Sequence, residues 1–310
     1  MNKIKTFYTP KQVCTKMSSS FSKSPHKPML LMKKIKDGGY ENFDIVDDFK
    51  PIKKSDFYIA HTKEYVNNVY NKTGNYNSNG LPWSKELVNS LTYTTGSLLA
   101  AKRHAIQNPG ELCFAPISGM HHARPDSGVG FCTFSGQVIS AIKIYKEFGL
   151  SCAYLDLDGH FGNSIEDTYE FNHLLEKAIP RGCNINPRGH NISYLEDFKA
   201  KLNDLENMIL NDKVHYVVFA HGADSHDEDD LGGQLNTECW IHAAEIFSNW
   251  VNTVSAKLGK PLPVVLCLFG GYRRDDYNFV LDLHLESLLT CSKTIGSVPE
   301  TTLLLNKQDK

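Results

Sequence analysis

The feature that most constrains this 310-residue chain is a set of apolar runs that do not alternate with polar residues. A strand with one solvent face alternates, so runs that are apolar on both faces indicate a sheet covered on both sides. Five such runs predict strands at residues 112–118, 152–158, 214–222, 263–269 and 301–305.

The segments between these runs carry apolar residues at helical spacing. They predict helices at residues 87–107, 136–148, 194–210, 240–258 and 279–290. Ser193, with Glu196 three residues later, predicts a capping box at the start of the third helix. Alternating strands and helices predict an α/β fold with a mainly parallel sheet flanked by helices. No linker interrupts the alternation, so we expect one domain over residues 1–310, with residues 1–54 as its irregular N-terminal part.

Composition excludes several classes of protein. The 33 Lys and Arg residues nearly balance the 35 Asp and Glu residues, so we expect no direct nucleic-acid binding. No apolar run approaches the ~20 residues that span a bilayer. The N-terminus lacks the apolar core of a secretory signal, and we therefore expect a cytoplasmic protein without a membrane partner.

Polar residues capable of catalysis follow four of the predicted strands. Ligands of open α/β sheets bind beyond the carboxyl ends of the strands, so these side chains are expected at one rim. In chain order they are His121 and His122, then Asp156, Asp158 and His160, then Asp224, and finally Tyr272.

The types of side chain at this rim indicate a metal-dependent hydrolase. Asp158 and His160 are two residues apart at a strand end and can point the same way. With Asp224 they form the three-ligand, open arrangement of catalytic zinc, although oxygen-rich ligation also suits iron(II) or manganese. His121 and His122 are candidate acid/base groups, and Tyr272 is a candidate donor to an oxyanion. Together these groups predict hydrolysis of an amide or similar acyl bond.

The motifs H-H-A…G-F-C, D-x-D-x-H, G-A-D…D-D-L-G-G and G-G-Y occur in this order from His121 onward. They resemble the zinc-dependent histone deacetylase superfamily, which includes the acetoin-utilisation and acetylpolyamine amidohydrolase branches. The resemblance extends over residues 55–290. It implies an arginase–deacetylase fold with a parallel sheet of about eight strands, and a zinc-dependent amidohydrolase acting on linear amides.

The resemblance also implies a role for each motif residue. The metal ligands fall on Asp158, His160 and Asp224, the tandem acid/base histidines on His121 and His122, and the transition-state tyrosine on Tyr272. Asp156 matches the carboxylate that orients the first histidine and helps to hold a structural potassium ion. Phe131 matches one aromatic wall of the substrate tunnel, to which Gly130 and Gly271 are also assigned.

Four positions depart from the pattern of the family. Phe161 replaces a second histidine, and Asn163 replaces the carboxylate that often supports His122. A neutral partner stabilises imidazolium less than a carboxylate does, so we expect a lower pKa for His122. The second aromatic wall aligns loosely with Asn186, which predicts a tunnel with one aromatic side. The acidic residue that grips the substrate backbone has no match, and Asn79 is the nearest residue.

Several residues near the motifs receive simpler interpretations. Lys27 and Pro28 lie where the family has a rim loop, and we interpret them as parts of an exposed loop. Residues 227–229 are interpreted as a solvated acidic loop. Arg273 and Arg274 are either rim charges for an acidic group or ordinary surface residues.

The resemblance implies removal of an acetyl group from N-acetyl-lysine of a histone or another protein or peptide. One alternative is deacylation of a small acyl-amine such as acetylpolyamine, and a longer acyl group is another. The manganese ureohydrolase branch of the fold is a further alternative, although its D-x-D sequence is Asp224-Ser225-His226 here. A hypothesis of another class is a non-catalytic domain that binds acyl-lysine or a protein.

Overall fold

A computed structural model describes residues 1–296, and a sheet of seven strands forms their centre. All neighbouring strands are parallel, in the order β2-β1-β3-β7-β6-β4-β5. The predicted α/β fold is therefore confirmed, with about seven strands instead of eight. The strands are β1 (Ile4–Phe7), β2 (Phe43–Val46), β3 (Leu112–Ala115), β4 (Cys152–Asp156), β5 (Asn184–Ile185), β6 (Tyr216–Ala220) and β7 (Val264–Cys267).

Four of the predicted apolar runs form strands β3, β4, β6 and β7, and every residue of these strands is buried. Each run continues past the strand into the loop that follows, because the start of that loop is buried as well. The predicted strand at 301–305 lies outside the described residues.

Three strands were missed, and two of them correct the description of residues 1–54 as irregular. Strands β1 and β2 lie in that segment and extend the same parallel sheet. Neither is longer than four residues, and β5 has only two. Segments this short show no periodicity that distinguishes them from loops.

Helices surround the sheet, and those that correspond to the five predicted segments are α3, α4, α7, α8 and α9. No helix within residues 1–296 combines the length and the apolar character that crossing a bilayer requires. The helices are α1 (Lys27–Asp37), α2 (Lys63–Asn71), α3 (Lys85–Gln107), α4 (Gly136–Phe148), α5 (Ser164–Thr168), α6 (Leu175–Ala178), α7 (Ile192–Leu210), α8 (Thr237–Leu258) and α9 (Tyr277–Thr294).

The predicted cap of helix α7 is wrong. The helix begins at Ile192, and the residue before it is Asn191. Ser193 lies in the first turn, where its hydroxyl accepts a hydrogen bond from the His190 N–H and donates one to the His190 carbonyl. The serine therefore closes the turn that precedes the helix and does not cap the helix itself.

The order of the strands explains why the motif residues meet. Strands β3, β7, β6 and β4 are consecutive neighbours in the sheet. Because all four are parallel, the loops after them leave the same edge of the sheet side by side. Those four loops carry the histidine pair, Tyr272, Asp224 and the D-x-D-x-H segment.

Candidate metal and catalytic site

The three predicted metal ligands meet at the centre of this edge. Asp158 and His160 follow β4, and Asp224 lies in a short 3-10 turn after β6. One ligand atom from each residue lies within 4.8 Å of the others. His160 Nδ1 lies 3.0 Å from Asp224 Oδ2 and 3.2 Å from Asp158 Oδ1. Two oxygen donors and one nitrogen donor thus face a common point.

The charges of these residues fit a divalent cation. Asp158 and Asp224 are both buried, and two neighbouring carboxylates out of contact with water repel each other. Burial and the charge of Asp158 raise the pKa of Asp224 to about 7. Hydrogen bonds to both carboxylates raise the pKa of His160 to about 10. A buried site this negative, with three ligands of suitable type, is what an open zinc or iron(II) site requires.

Protonation of the ligand side chains should oppose metal binding at this site. Zinc requires the deprotonated forms of Asp224 and His160, whose raised pKa values favour the protonated forms near neutral pH. We therefore expect the rise in Tm caused by zinc to be larger at about pH 8 than at about pH 6. Thermal unfolding of the chelated and the zinc-loaded chain at both pH values measures this, and an equal rise at both would contradict it.

Backbone N–H groups orient the two carboxylates. Gly159 N–H donates to Asp224 Oδ1 at 3.0 Å, and Gly270 N–H donates to Asp158 Oδ2 at 2.7 Å. Gly270 belongs to the segment that follows β7. The loop that carries Tyr272 is therefore tied directly to a ligand of the proposed metal.

The tandem histidines lie beside the ligands, each with a different partner. His121 Nδ1 is 2.9 Å from Asp156 Oδ2, and His122 Nδ1 is 2.8 Å from Asn163 Oδ1. The two imidazole rings are 4.0 Å apart between centroids. His121 Nε2 is 3.6 Å from Asp158 Oδ1. When a ring donates from Nδ1, its Nε2 is free to exchange a proton with a substrate or water.

The surroundings of the two rings move their pKa values in opposite directions. Burial lowers the pKa of His121, but Asp158 and Asp156 outweigh it and raise the value to about 9. Burial and the charge of His121 lower the pKa of His122 to about 4. His122 is therefore neutral at neutral pH and able to accept a proton, whereas His121 is the better proton donor. A cation bound at Asp158 would oppose the effect of that carboxylate on His121.

Asn163→Asp is expected to shift the acidic limb of the rate profile to higher pH. The new carboxylate would face His122 Nδ1, where Asn163 Oδ1 now lies at 2.8 Å, and would raise the pKa of the imidazole by about 1–3 units. Because a base must be unprotonated, the pH at which kcat/KM reaches half its maximum rises with that pKa. The profile of kcat/KM against pH measures the shift, and an unmoved acidic limb would contradict it.

Tyr272 is buried next to the ligands on a loop of unusual conformation. Its ring centroid lies 6.4 Å from that of His160 and 5.6 Å from that of Phe131. Burial raises the pKa of Tyr272 well above its ordinary value of 10, so the phenol stays protonated and can donate a hydrogen bond. Just before it, Phe269 has φ 145°, a value that a non-glycine residue rarely adopts.

Lys27 binds backbone carbonyls of the loop that carries Tyr272, and its interpretation as part of an exposed rim loop is wrong. Lys27 and Pro28 are both buried at the first turn of α1. The Lys27 ammonium donates to the carbonyls of Phe269 and of Gly270, the latter at 2.9 Å. Burial lowers the pKa of Lys27 to about 8, although Asp224 and Asp158 oppose this. A buried ammonium is tolerated here because carbonyl oxygens and nearby carboxylates replace water.

Aromatic rings line one side of the approach to Tyr272. Phe131 is one of them, and its role as a tunnel wall stays a prediction. Phe21 is another, and the sequence analysis missed it. The centroid of Phe21 is 6.0 Å from that of Phe131 and 6.4 Å from that of Tyr272. The only sequence signal for Phe21 is a single aromatic residue within the serine-rich stretch 18–24.

The two glycines assigned to the tunnel lie in different surroundings. Gly130 has φ 51°, and a Cβ there would lie 2.6 Å from the ring of His122. Gly271 has φ 142°, and a Cβ there would meet Val280 of α9 at 2.5 Å. Gly130 thus leaves space for the ring of His122, whereas Gly271 allows its loop to pack on α9. A tunnel role for either glycine stays a prediction.

Asp158 and His160 also border an open cavity of about 270 Å³. Its walls include Asp158, His160, Asn186 and Arg188. Asn186 offers no aromatic ring there, and its Oδ1 accepts a hydrogen bond from Gly162 N–H at 2.8 Å. Tyr194 also lines this cavity, and its buried hydroxyl has no hydrogen-bond partner among the described residues. The wall of this cavity therefore combines polar side chains with the exposed ring of Phe161.

The side-chain amide of Asn79 hydrogen-bonds to the protein itself and is not directed at a substrate backbone. It is buried, its Nδ2 donates to Thr133 Oγ1 at 2.7 Å, and its Oδ1 accepts from Leu81 N–H at 3.1 Å. Both halves of the amide thus stabilise the neighbouring loop. The structure gives Asn79 a structural role in place of the substrate contact that was considered for it.

The acidic loop and the arginines after Tyr272 contact each other. Asp229 was interpreted as solvated, but its Oδ2 accepts a hydrogen bond from Tyr272 N–H at 2.6 Å. Arg273 pairs with Glu228, and Arg274 Nε lies 2.6 Å from Asp230 Oδ2. Both arginines are therefore engaged within the protein.

The fold and this arrangement define a class of protein: an α/β chain with a buried Asp-His-Asp group, two imidazoles and a phenol at one sheet edge. A family model described as the histone deacetylase domain matches residues 22–175, a region that includes both histidines, Asp158 and His160. The chain belongs to the histone deacetylase superfamily.

Curated relatives match parts of the chain. A segment of 76 residues is 30% identical to histone deacetylase 8 of Xenopus laevis, covering 24% of this chain and 23% of that protein. A segment of 151 residues is 27% identical to the acetoin utilization protein AcuC of Staphylococcus aureus strain Mu50, covering 40% of this chain and 37% of that protein. The chain thus spans well under half the length of either relative.

Solved structures share the fold over nearly the whole chain. The HD domain of HDA15 gives a TM-score of 0.71 at 14% identity, covering 96% of this chain and 92% of that one. An acetylpolyamine aminohydrolase from Burkholderia pseudomallei gives a TM-score of 0.66 at 15% identity, covering 94% of this chain and 99% of that one. At this level of identity the two likenesses establish the fold alone.

Proposed function

We propose that the chain is a metal-dependent deacetylase that hydrolyses the amide of N-acetyl-lysine in a protein or peptide. The observation that carries the proposal is the convergence of the ligand group, the two histidines and Tyr272 at one sheet edge. Membership of the histone deacetylase superfamily supports the same reaction. Water and the amide are the reactants, and acetate and a free amine are the products.

Asp158, His160 and Asp224 would hold the metal. A zinc ion bound there, or iron(II), supplies Lewis-acid polarisation of the amide carbonyl and a lowered pKa for water. The potassium ion that the resemblance implies at Asp156 remains a prediction. Asp156 accepts hydrogen bonds from His121 at 2.9 Å and from the Asp158 N–H at 3.3 Å.

The remaining residues act on the proton and the oxyanion. His122 is neutral at neutral pH and accepts the proton of the attacking water. His121, which Asp156 orients through Nδ1, donates a proton to the departing amine nitrogen. The Tyr272 hydroxyl donates a hydrogen bond to the oxyanion that forms when the carbonyl is attacked.

One feature favours a lysine side chain over a polyamine. Phe131 and Phe21 offer an apolar surface to methylene groups, which both substrates contain, so the difference lies in the charges around the site. Arg188 is exposed in the wall of the cavity, and none of the described carboxylates forms an ion pair with its guanidinium, although Asp197 accepts a hydrogen bond from its backbone N–H at 2.7 Å. A cationic group at that position repels the charged amines of a polyamine.

The ureohydrolase alternative finds no support in the residues after Asp224. Ser225 Oγ donates to the Gly222 carbonyl at 2.9 Å, and His226 Nε2 lies 2.8 Å from Thr237 Oγ1. Both side chains thus have partners away from the ligand group, which leaves a second metal without the carboxylate that the alternative requires.

The substrate is tested by comparing acetate release from an acetyl-lysine peptide and from acetylputrescine, using the full zinc-loaded chain. We expect the larger kcat/KM for the peptide. A larger value for acetylputrescine would support the small-amine alternative. Peptides with longer acyl chains belong in the comparison because the cavity offers room beside the ligands. Binding of acylated peptides without hydrolysis, in metal-loaded protein, would favour the non-catalytic domain.

A further inference from the structure

Three consecutive acidic residues contact three consecutive residues of the tyrosine loop, the segment between β7 and α9 that carries Tyr272. Asp229 Oδ2 accepts the hydrogen bond from Tyr272 N–H at 2.6 Å. On either side of it, Glu228 pairs with Arg273 and Asp230 pairs with Arg274. The loop after β6 and the loop after β7 are therefore joined residue by residue next to the ligand group.

The loop that carries Tyr272 needs such contacts because it has no regular structure of its own. It lies between the end of β7 and the start of α9. Its first part is fixed by Lys27, by Gly270 N–H on Asp158, and by Ser118 Oγ, which donates to the Phe269 carbonyl at 2.9 Å. These hydrogen bonds involve Phe269 and Gly270, and Gly270 lies two residues before Tyr272.

Asp229 supplies the contact at Tyr272 itself. Its carboxylate is half-buried and accepts from the backbone of the same residue whose ring must reach the substrate. A hydrogen bond to an ionised acceptor is stronger than one between neutral groups. The two exposed ion pairs add little energy individually, but they join the residues on both sides of Asp229 to the same loop.

The position of the phenol ring is also limited from outside the loop. Arg274 lies over the ring of Phe21 at 4.9 Å, and Phe21 in turn stacks on Tyr272. The pair of Asp230 and Arg274 thus connects the acidic loop to the aromatic wall. A shift of the acidic loop would move the backbone and the ring of Tyr272 together.

We propose that Asp229 is a positioning residue that fixes the hydroxyl of Tyr272 where the oxyanion forms. This inference rests on the proposed deacetylase function. It predicts that loss of the Asp229 acceptor lowers kcat more than it alters KM, because misplacement of a donor affects the transition state above all.

The test compares Asp229→Ala with Asp229→Asn in the full zinc-loaded chain. Alanine removes the acceptor, and we expect kcat to fall about 10- to 100-fold with KM changed less than about threefold. Asparagine keeps one oxygen that can accept from Tyr272 N–H, while its Nδ2 takes the place of the Oδ1 that accepts from Leu231 N–H at 3.0 Å. We expect kcat to stay within about threefold of the unchanged chain. Asp227→Ala is the matched control, because this exposed neighbour contacts His226 and not the tyrosine loop.

A double-mutant cycle with Tyr272→Phe separates positioning from general loosening of the fold. Once the hydroxyl is gone, Asp229→Ala should cost little further activity. An equal loss of kcat with and without the hydroxyl would overturn the proposal, and so would an unchanged kcat in the Asp229→Ala chain.

Amide hydrogen exchange distinguishes failure of this inference from failure of the proposed function. Asp229→Ala should speed exchange at Tyr272 N–H, whereas Asp229→Asn and Asp227→Ala should not. If the unchanged chain hydrolyses no acyl substrate, the deacetylase function fails and exchange alone decides whether Asp229 fixes the loop. An unchanged exchange rate at Tyr272 N–H in the Asp229→Ala chain would then refute the positioning role of Asp229.

Discussion

Asp224→Ala is expected to abolish metal binding and to reduce amide hydrolysis by more than about 100-fold. Substitutions of residues that merely support a metal ligand typically cost 10–100-fold, so loss of a direct ligand should exceed that range. The change also removes the acceptor of the Gly159 N–H and one of the two carboxylates, Asp158 and Asp224, that raise the pKa of His160. Metal content by elemental analysis and kcat/KM on an acetyl-lysine peptide measure the two effects.

The control for this experiment is again Asp227→Ala, three residues along the same loop. Its side chain is exposed and outside the ligand group, so metal content and activity should be unchanged. A chain with Asp224→Ala that still binds one metal ion and remains active would show that the ligand group has been misidentified.

Tyr272→Phe is expected to lower kcat by about 10²–10³-fold and to change KM little. The change removes the hydroxyl alone and leaves the ring contacts with Phe131 and Phe21 in place. A donor aimed at the oxyanion stabilises the transition state far more than the bound substrate, and loss of one such donor typically costs this much. Steady-state kinetics on an acetyl-lysine peptide give both parameters.

Tyr277→Phe is a matched control for this change. Its hydroxyl is also buried, five residues further along the chain, and has no hydrogen-bond partner among the described residues. Its loss should leave kcat unaltered. A Tyr272→Phe chain with nearly unchanged turnover would remove Tyr272 from the proposed mechanism.

Long elements were predictable from the sequence and short ones were not. The apolar runs of β4 and β6 and the periodic segments of α4 and α8 each contain enough residues to show a pattern. Strand β2, by contrast, is four residues at the edge of the sheet, and its burial is uneven. Its pairing with β1 supplies backbone hydrogen bonds that leave little trace in side-chain composition.

The candidate site divides in the same way. The sequence by itself determined which side chains the proposed chemistry is assigned to, because Asp158, His160, Asp224 and the histidines lie at the ends of recognisable strands and within family motifs. Parallel strands bring such ends to one edge whatever the details of packing.

Only the tertiary structure decided what holds and surrounds those side chains. Lys27 reaches the Phe269 carbonyl from 242 residues away, and Asp229 reaches Tyr272 from 43 residues away. In the sequence Lys27 looks like a loop cation and Asp229 like a solvated acid, since their partners are backbone groups common to every residue. A contact to a backbone group leaves no pattern in composition or spacing, and only the folded chain shows which backbone group is near.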